Sequence, residues 1–143
     1  MKLNKKGFTL IELLAVIAIL AILIVLAVPN ILNLFQESRQ SAYEIDAQSV
    51  YEAAQTQWQL EQLTASATTD TTYTNLSGVT GSKTLTSATI NGNVKYCVII
   101  DKTGKVKKFS YSQSGFKSKA LTSTDIQKSD IEIEQATGDA SCS

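Results

Sequence analysis

The stretch "KKGFTLIELLAVIAILAILIVLAVP", residues 5–29, decides how the rest of the chain is read. Sixteen apolar residues run without interruption from Leu13 to Val28, and the 21 from Phe8 to Val28 are broken only by Thr9 and Glu12. As a helix this stretch is about 31 Å long, close to the hydrocarbon thickness of a bilayer. Lys2, Lys5 and Lys6 precede it, which keeps the N-terminus cytoplasmic and sends the remainder of the chain outward. Glu12 is the anomaly, because an ionised carboxylate costs several kcal/mol to bury without a partner. Its place in the first turns of a helix, where the dipole favours an anion, offsets part of that cost.

Beyond Pro29 the periodicity changes but does not stop. Tyr43, Ala47, Val50, Ala54 and Trp58 recur at spacings of 4, 3, 4 and 4, one helical stripe. Glu37, Arg39, Glu44, Asp46, Glu52 and Glu61 fall on other faces. The spacing predicts one helix from about Thr9 to about Leu63, bent at Pro29 and on the order of 80 Å long. Residues 64–89, with ten Thr and four Ser, read as a long surface loop containing at most brief strands. "VKYCVII" (94–100), "DKTG" (101–104) and "KVKKFSY" (105–111) read as a hairpin. In it Val94, Tyr96, Val98 and Ile100 lie on one face of the first strand, Phe109 and Tyr111 on one face of the second, and Gly104 takes the turn position that needs positive φ. "SDIEIEQA" (129–136) alternates Ile131 and Ile133 with Glu132 and Glu134, as a half-buried strand does. The fold class is α+β: a long N-terminal helix, apolar then amphipathic, packed on a C-terminal antiparallel sheet of three to four strands.

Composition narrows the function. Thirteen basic residues balance thirteen acidic ones, but without Lys2, Lys5 and Lys6 ten face thirteen, a formal −3, so nothing broadly basic invites nucleic acid. Lys105, Lys107 and Lys108 read as a solvated hairpin edge. There is no histidine, and with two cysteines a four-ligand Cys/His zinc site is impossible within one chain. A Ser-Lys dyad or a carboxylate pair is not excluded by counting, yet no G-x-S-x-G, P-loop or G-x-G-x-x-G motif occurs. An enzyme is not expected. Asp125, Asp130, Glu132 and Glu134 are candidate calcium ligands, but they lack a D-x-D-x-D-G pattern, and acids alternating on a solvent-facing strand are the simpler account. Asn75-Leu76-Ser77 matches a glycosylation sequon, a weak three-residue pattern. Cys97 and Cys142 in an exported domain favour a disulfide that encloses 44 residues, the other reading being a buried free Cys97 with a disordered tail.

The N-terminal stretch resembles that of type IV pilins and the related pseudopilins over about residues 2–35. The likeness rests on a short basic leader ending in Gly7, then Phe8, then Thr9-Leu10-Ile11-Glu12 and the apolar run. It implies that a prepilin peptidase cuts between Gly7 and Phe8 and methylates the new Phe8 amine. It also implies that Glu12 is the assembly glutamate, meeting the N-terminal amine of a neighbouring subunit, and that the helix bends at Pro29. The absence of glycine between Gly7 and Gly78 departs from many relatives and bears on how far the helix loosens in a filament. The implied partners are other copies of the chain, the peptidase/methylase, minor pilins, an inner-membrane platform protein and, through it, an assembly ATPase. No cofactor or metal is implied, and nucleic acid only for a DNA-uptake variant.

The expected division is a leader at 1–7, a membrane and filament-core helix at 8–35, and a globular head at 36–143 whose sheet occupies 90–143. The expected function is a pilus subunit, first in the cytoplasmic membrane and then in an extracellular filament for adhesion, twitching motility or biofilm. The alternatives are a pseudopilin of a secretion or competence system, a protein exported by a signal peptide cut after Ala27, and an uncleaved single-pass anchor. In the precursor, Glu12 has no amine to meet, and a shallow position near the inner interface is expected to keep it tolerable.

Overall fold

The computed structural model describes residues 7–86, 93–119 and 121–143. Lys2, Lys5 and Lys6 therefore lie outside the described residues, as do positions 87–89 of the Ser/Thr-rich loop, 90–92 of the expected sheet, and the Pro29 side chain. The chain divides into two compact units, one ending at Ser38 and the other spanning Arg39–Ser143.

Helix α1 spans Leu10–Gln62, within a residue of the sequence expectation at each end, and continues through position 29. No glycine weakens its interior. At its C-terminus the Glu61 carbonyl accepts the Thr64 and Ala65 N–H groups and the Thr64 hydroxyl, and Gln62 Oε1 accepts the Ala67 N–H at 2.9 Å. These contacts satisfy groups that a helix end otherwise leaves open. In the first unit all nineteen large apolar side chains from Phe8 to Phe35 are at least 45% exposed, far outside what a soluble surface carries. α1 is long and apolar enough to cross a membrane.

In the second unit the predicted stripe faces a sheet. Ala47, Val50 and Ala54 are buried, and Tyr43 and Trp58 pack against the same core. The strands are β1 (Thr71–Thr74), β2 (Lys95–Ile100), β3 (Val106–Gln113), β4 (Phe116–Ser118), β5 (Leu121–Thr122) and β6 (Ile133–Gln135). All pair antiparallel in the order β1-β2-β3-β4-β6, with β5 on the other half of β3's edge. Tyr96 lies opposite Tyr111 and Val98 opposite Phe109 on the face toward α1. Small alanines in the helix stripe leave room for these aromatic rings. Tyr43 stacks on Phe116 at 4.9 Å, and the Tyr51 hydroxyl donates to the Ile126 carbonyl at 2.7 Å.

The fold class is the α+β arrangement that the sequence predicted. The sheet has six strands rather than three or four for two reasons. Tyr73 is fully buried in β1, so one apolar ring suffices to pull a Thr-rich segment onto the edge of β2. Ser114 (φ 50°) and Gly115 (φ 84°) close a two-residue β3–β4 turn of the type-I′ kind. The last expected strand is shorter than read: a 3₁₀ turn takes Lys128–Asp130, and β6 begins only at Ile133. Where β4 gives way to β5, the buried Ser118 hydroxyl accepts the Tyr111 N–H at 2.9 Å and closes the gap in the ladder.

Candidate functional site

Gly7 and Phe8 precede α1 and are exposed. A Cβ at Gly7 would meet nothing within 4 Å, so no packing in this fold demands glycine there. Phe8 is 92% exposed. Glu12 sits in the first turn of α1, and its surroundings differ from the expectation of an unpartnered acid. Its Oε2 accepts the Thr9 N–H at 2.8 Å and the Thr9 hydroxyl at 2.7 Å, while the Glu12 N–H donates to Thr9 Oγ1 at 3.3 Å. Thr9 is thus the N-cap and Glu12 the third helical residue of a reciprocal capping box. The signal was legible as T-x-x-E directly before an apolar run. Both local bonds fall on Oε2, and among the described residues Oε1 has no partner.

Cys97 and Cys142 are joined by a disulfide with Cα atoms 5.5 Å apart. Closing a loop of 45 residues' separation stabilises by about 4 kcal/mol on chain-entropy grounds. The bond fixes residues 137–143 against the face of the sheet that points away from α1. There the Ala140 N–H donates to Ser112 Oγ at 2.8 Å, the Ser141 N–H donates to Ser110 Oγ at 3.0 Å, and Lys108 Nζ donates to the Ser143 carbonyl. Nothing in the sequence pattern of Ser110 and Ser112 marks them as acceptors for a distant segment.

The four candidate calcium acids do not converge. Asp125 pairs with Lys105 at 3.3 Å, Asp130 accepts the Gln127 N–H at 2.8 Å, Glu132 pairs with Lys119, and Glu134 lies in register with Lys117. Among the described residues no three acids, cysteines or histidines stand close enough to hold a metal ion. Lys107 pairs with Asp70 at 3.1 Å, so Lys105, Lys107 and Lys108 all have local partners. Ser114 and Lys117 have the S-x-x-K spacing, yet Ser114 lies in the hairpin turn and no hydrogen bond joins the two, so they form no dyad. The sequon asparagine is occupied too: Asn75 Nδ2 donates to the Val94 carbonyl at 2.6 Å, and Oδ1 accepts the Tyr96 N–H at 3.1 Å.

Glu61 gathers three side chains. It accepts Lys83 Nζ at 2.6 Å, the Tyr73 hydroxyl at 3.0 Å and Gln57 Nε2 at 3.3 Å. Partial burial pushes its pKa up, but these donors outweigh it and bring the carboxyl below its ordinary range. The cluster ties the end of α1 to β1 and the loop after it.

Residues 2–28 match the family model for the prokaryotic N-terminal methylation motif. No curated protein and no solved structure matches the chain. The motif gives the chain a type IV pilin-like prepilin leader. With the long apolar helix it fits a membrane-anchored precursor of pilin or pseudopilin type, a structural class rather than an enzyme family.

Proposed function

We propose that this chain is the structural subunit of a type IV pilus. A prepilin peptidase cuts between Gly7 and Phe8 and methylates Phe8. The subunit waits in the cytoplasmic membrane as a single-pass protein with its head outside, and then polymerises into an extracellular filament. Residues 1–7 are the leader, 8–35 the helix that passes from lipid to the filament core, and 36–143 the head. The observation that carries this reading is the coincidence of the methylation motif with nineteen exposed large apolar side chains between Phe8 and Phe35, eighteen of them on α1. Such a surface needs a covering. Lipid supplies it before assembly and other copies of α1 supply it afterwards. Leaving lipid costs free energy of its own, so extraction needs the motor and the platform protein that the leader motif implies.

In the filament, the Phe8 amine of one subunit meets the Glu12 carboxylate of another, with Pro29 allowing the helix to adjust. A charge-assisted contact in a dry site offsets the burial of both charges. Minor pilins cap or initiate the fibre. The Ser/Thr-rich loop and the disulfide-closed head suit a surface fibre for adhesion, motility or biofilm better than a short pseudopilus. Glu12→Leu tests the reading. N-terminal mass spectrometry should still find methylated Phe8, while sheared fibres fall at least about tenfold, the penalty for leaving a buried cation unpaired. Normal fibre yield from Glu12→Leu refutes the assembly role, and Met1 or Val28 as the mature terminus refutes the processing.

A further inference from the structure

The segment 137–143 differs from the rest of the head in how it is held. Strand alternation places Cys97 on the face of β2 opposite Tyr96 and Val98, with Ser110 directly across from it on β3. On that face the segment makes no backbone–backbone hydrogen bond to the sheet among the described residues; the last such bond is from the Ala136 N–H to the Gly115 carbonyl. Its contacts are two N–H groups on the Ser110 and Ser112 hydroxyls, one lysine on a carbonyl, and the disulfide. Only Ala140 is buried within it, whereas Cys97, Ser110 and Ser112 beneath it are buried. No apolar side chain of the segment enters the core between α1 and the sheet, since Ala140 stands outside that cluster.

We propose that residues 137–143 form a disulfide-held strap that opens as a local unit when the Cys97–Cys142 bond is reduced, leaving the helix–sheet core folded and turning Cys97 into an accessible thiol. Side-chain hydrogen bonds exchange with water at small net gain. What holds the strap down is the high effective concentration that the covalent tie imposes. The core needs no such tie, because Val98, Phe109, Tyr111 and their helix partners are buried by contacts that the strap does not share. In the reduction, one thiolate of a dithiol attacks the more exposed Cys142 Sγ and displaces Cys97 as a thiolate, which takes up a proton. The second thiol of the reagent then attacks the mixed disulfide and frees Cys142. Two electrons and two protons pass to the protein as the reagent closes its own disulfide.

Amide hydrogen exchange of the full chain in detergent micelles, with and without dithiothreitol, tests the proposal. On reduction the Ala140 and Ser141 amides should exchange at the rate of an open chain, while Val98 and Phe109 stay protected, faster by no more than the roughly 1,000-fold that the lost loop closure allows. Iodoacetamide should label Cys97 under the same conditions, and Trp58 fluorescence should not move. Cys142→Ser should reproduce the opened strap without reductant. Loss of Phe109 protection in either arm overturns the proposal, because the disulfide would then hold the whole head. Unchanged protection at Ala140 and Ser141 overturns it as well, because the serine contacts would then suffice.

Discussion

Replacing Gly104 by Ala, with Gly115→Ala beside it, separates two contributions that glycine makes in this head. Both glycines have positive φ, +89° and +84°, so either substitution places a β-carbon in a conformation that costs about 1–2 kcal/mol. Their surroundings differ. Around Gly115 an added Cβ meets nothing within 4 Å, whereas at Gly104 it lies 2.9 Å from Trp58 Cζ3 and 3.1 Å from Cη2. The Trp58 ring packs against the core on which α1 rests, so it cannot retreat without opening that packing. Overfilling a packed site of this kind costs a further 1–3 kcal/mol, roughly. The expected loss is therefore about 1–2 kcal/mol for Gly115→Ala and about 2–5 kcal/mol for Gly104→Ala.

Urea unfolding of the purified protein, followed by the fluorescence of Trp58, the chain's one tryptophan, measures both. With a denaturant slope of about 1–3 kcal/mol/M, the two midpoints should differ by the order of 1 M. Trp58→Leu in the Gly104→Ala background, followed by circular dichroism, should recover part of the difference, since a shorter side chain leaves room for the methyl group. Equal losses at the two glycines, within about 0.5 kcal/mol, would refute the claim that the hairpin tip is fastened to α1 through Trp58. The loss would then be backbone strain alone.

Three further outcomes follow from single contacts. Asp101 accepts the Thr103 hydroxyl at 2.7 Å, the Lys105 N–H at 3.0 Å and the Thr103 N–H at 2.8 Å, which holds its pKa at about 2. The folded state therefore binds this proton less tightly than the unfolded chain, where an aspartate titrates near about 3.9. The stabilisation is complete above about pH 4 and is lost as pH falls through about 2, so Asp101→Asn should flatten the dependence of Tm on pH in that window. A parallel Tm–pH curve for the variant would remove Asp101 from the account. Asn75→Ala, which removes one hydrogen bond to Val94 and one to Tyr96 of β2, should destabilise the head by about 1–2 kcal/mol in urea unfolding. Intact mass of the exported wild type should show no glycan at Asn75, and a glycosylated Asn75 peptide would contradict its occupied amide. Thr9→Val removes the hydroxyl from the capping box, and the Glu12 amide should exchange about fivefold faster in micelles, as loss of an N-cap implies.

Much of the fold was legible because it rests on period and length. The boundaries of α1 followed from an apolar run joined to a 3.6-residue stripe, and Tyr96, Val98, Phe109 and Tyr111 followed from alternation. What was not legible depends on contacts between residues far apart in the chain. β1 has too few apolar residues to announce itself and becomes a strand because β2 offers an edge and Tyr73 fills a buried place. The 137–143 segment has no pattern at all, since its acceptors are side-chain oxygens of Ser110 and Ser112, about 30 residues earlier. By contrast, the Ser114–Gly115 turn and the Thr9-x-x-Glu12 box are local signatures of two and four residues. Both could have been read from the sequence.

The capping box sharpens what remains to be explained about Glu12. It accounts for the position of the carboxylate, since the third helical residue is where an acid reaches back to an N-cap threonine. It accounts less well for the choice of an acid in an apolar stretch. An N-cap contributes typically about 1 kcal/mol, and a neutral glutamine at the same place completes a capping box equally well without a charge to bury. The preference for a carboxylate must therefore come from an interaction that only the anion makes. The local bonds use Oε2 and leave Oε1 directed to no described residue, so one carboxylate can start its own helix and still accept a cation from another chain. Glu12→Gln separates the two roles within one residue: it keeps the cap and removes the charge. Filament yield that falls with Gln as far as with Leu assigns the role to the charge, and yield restored by Gln assigns it to the helix start.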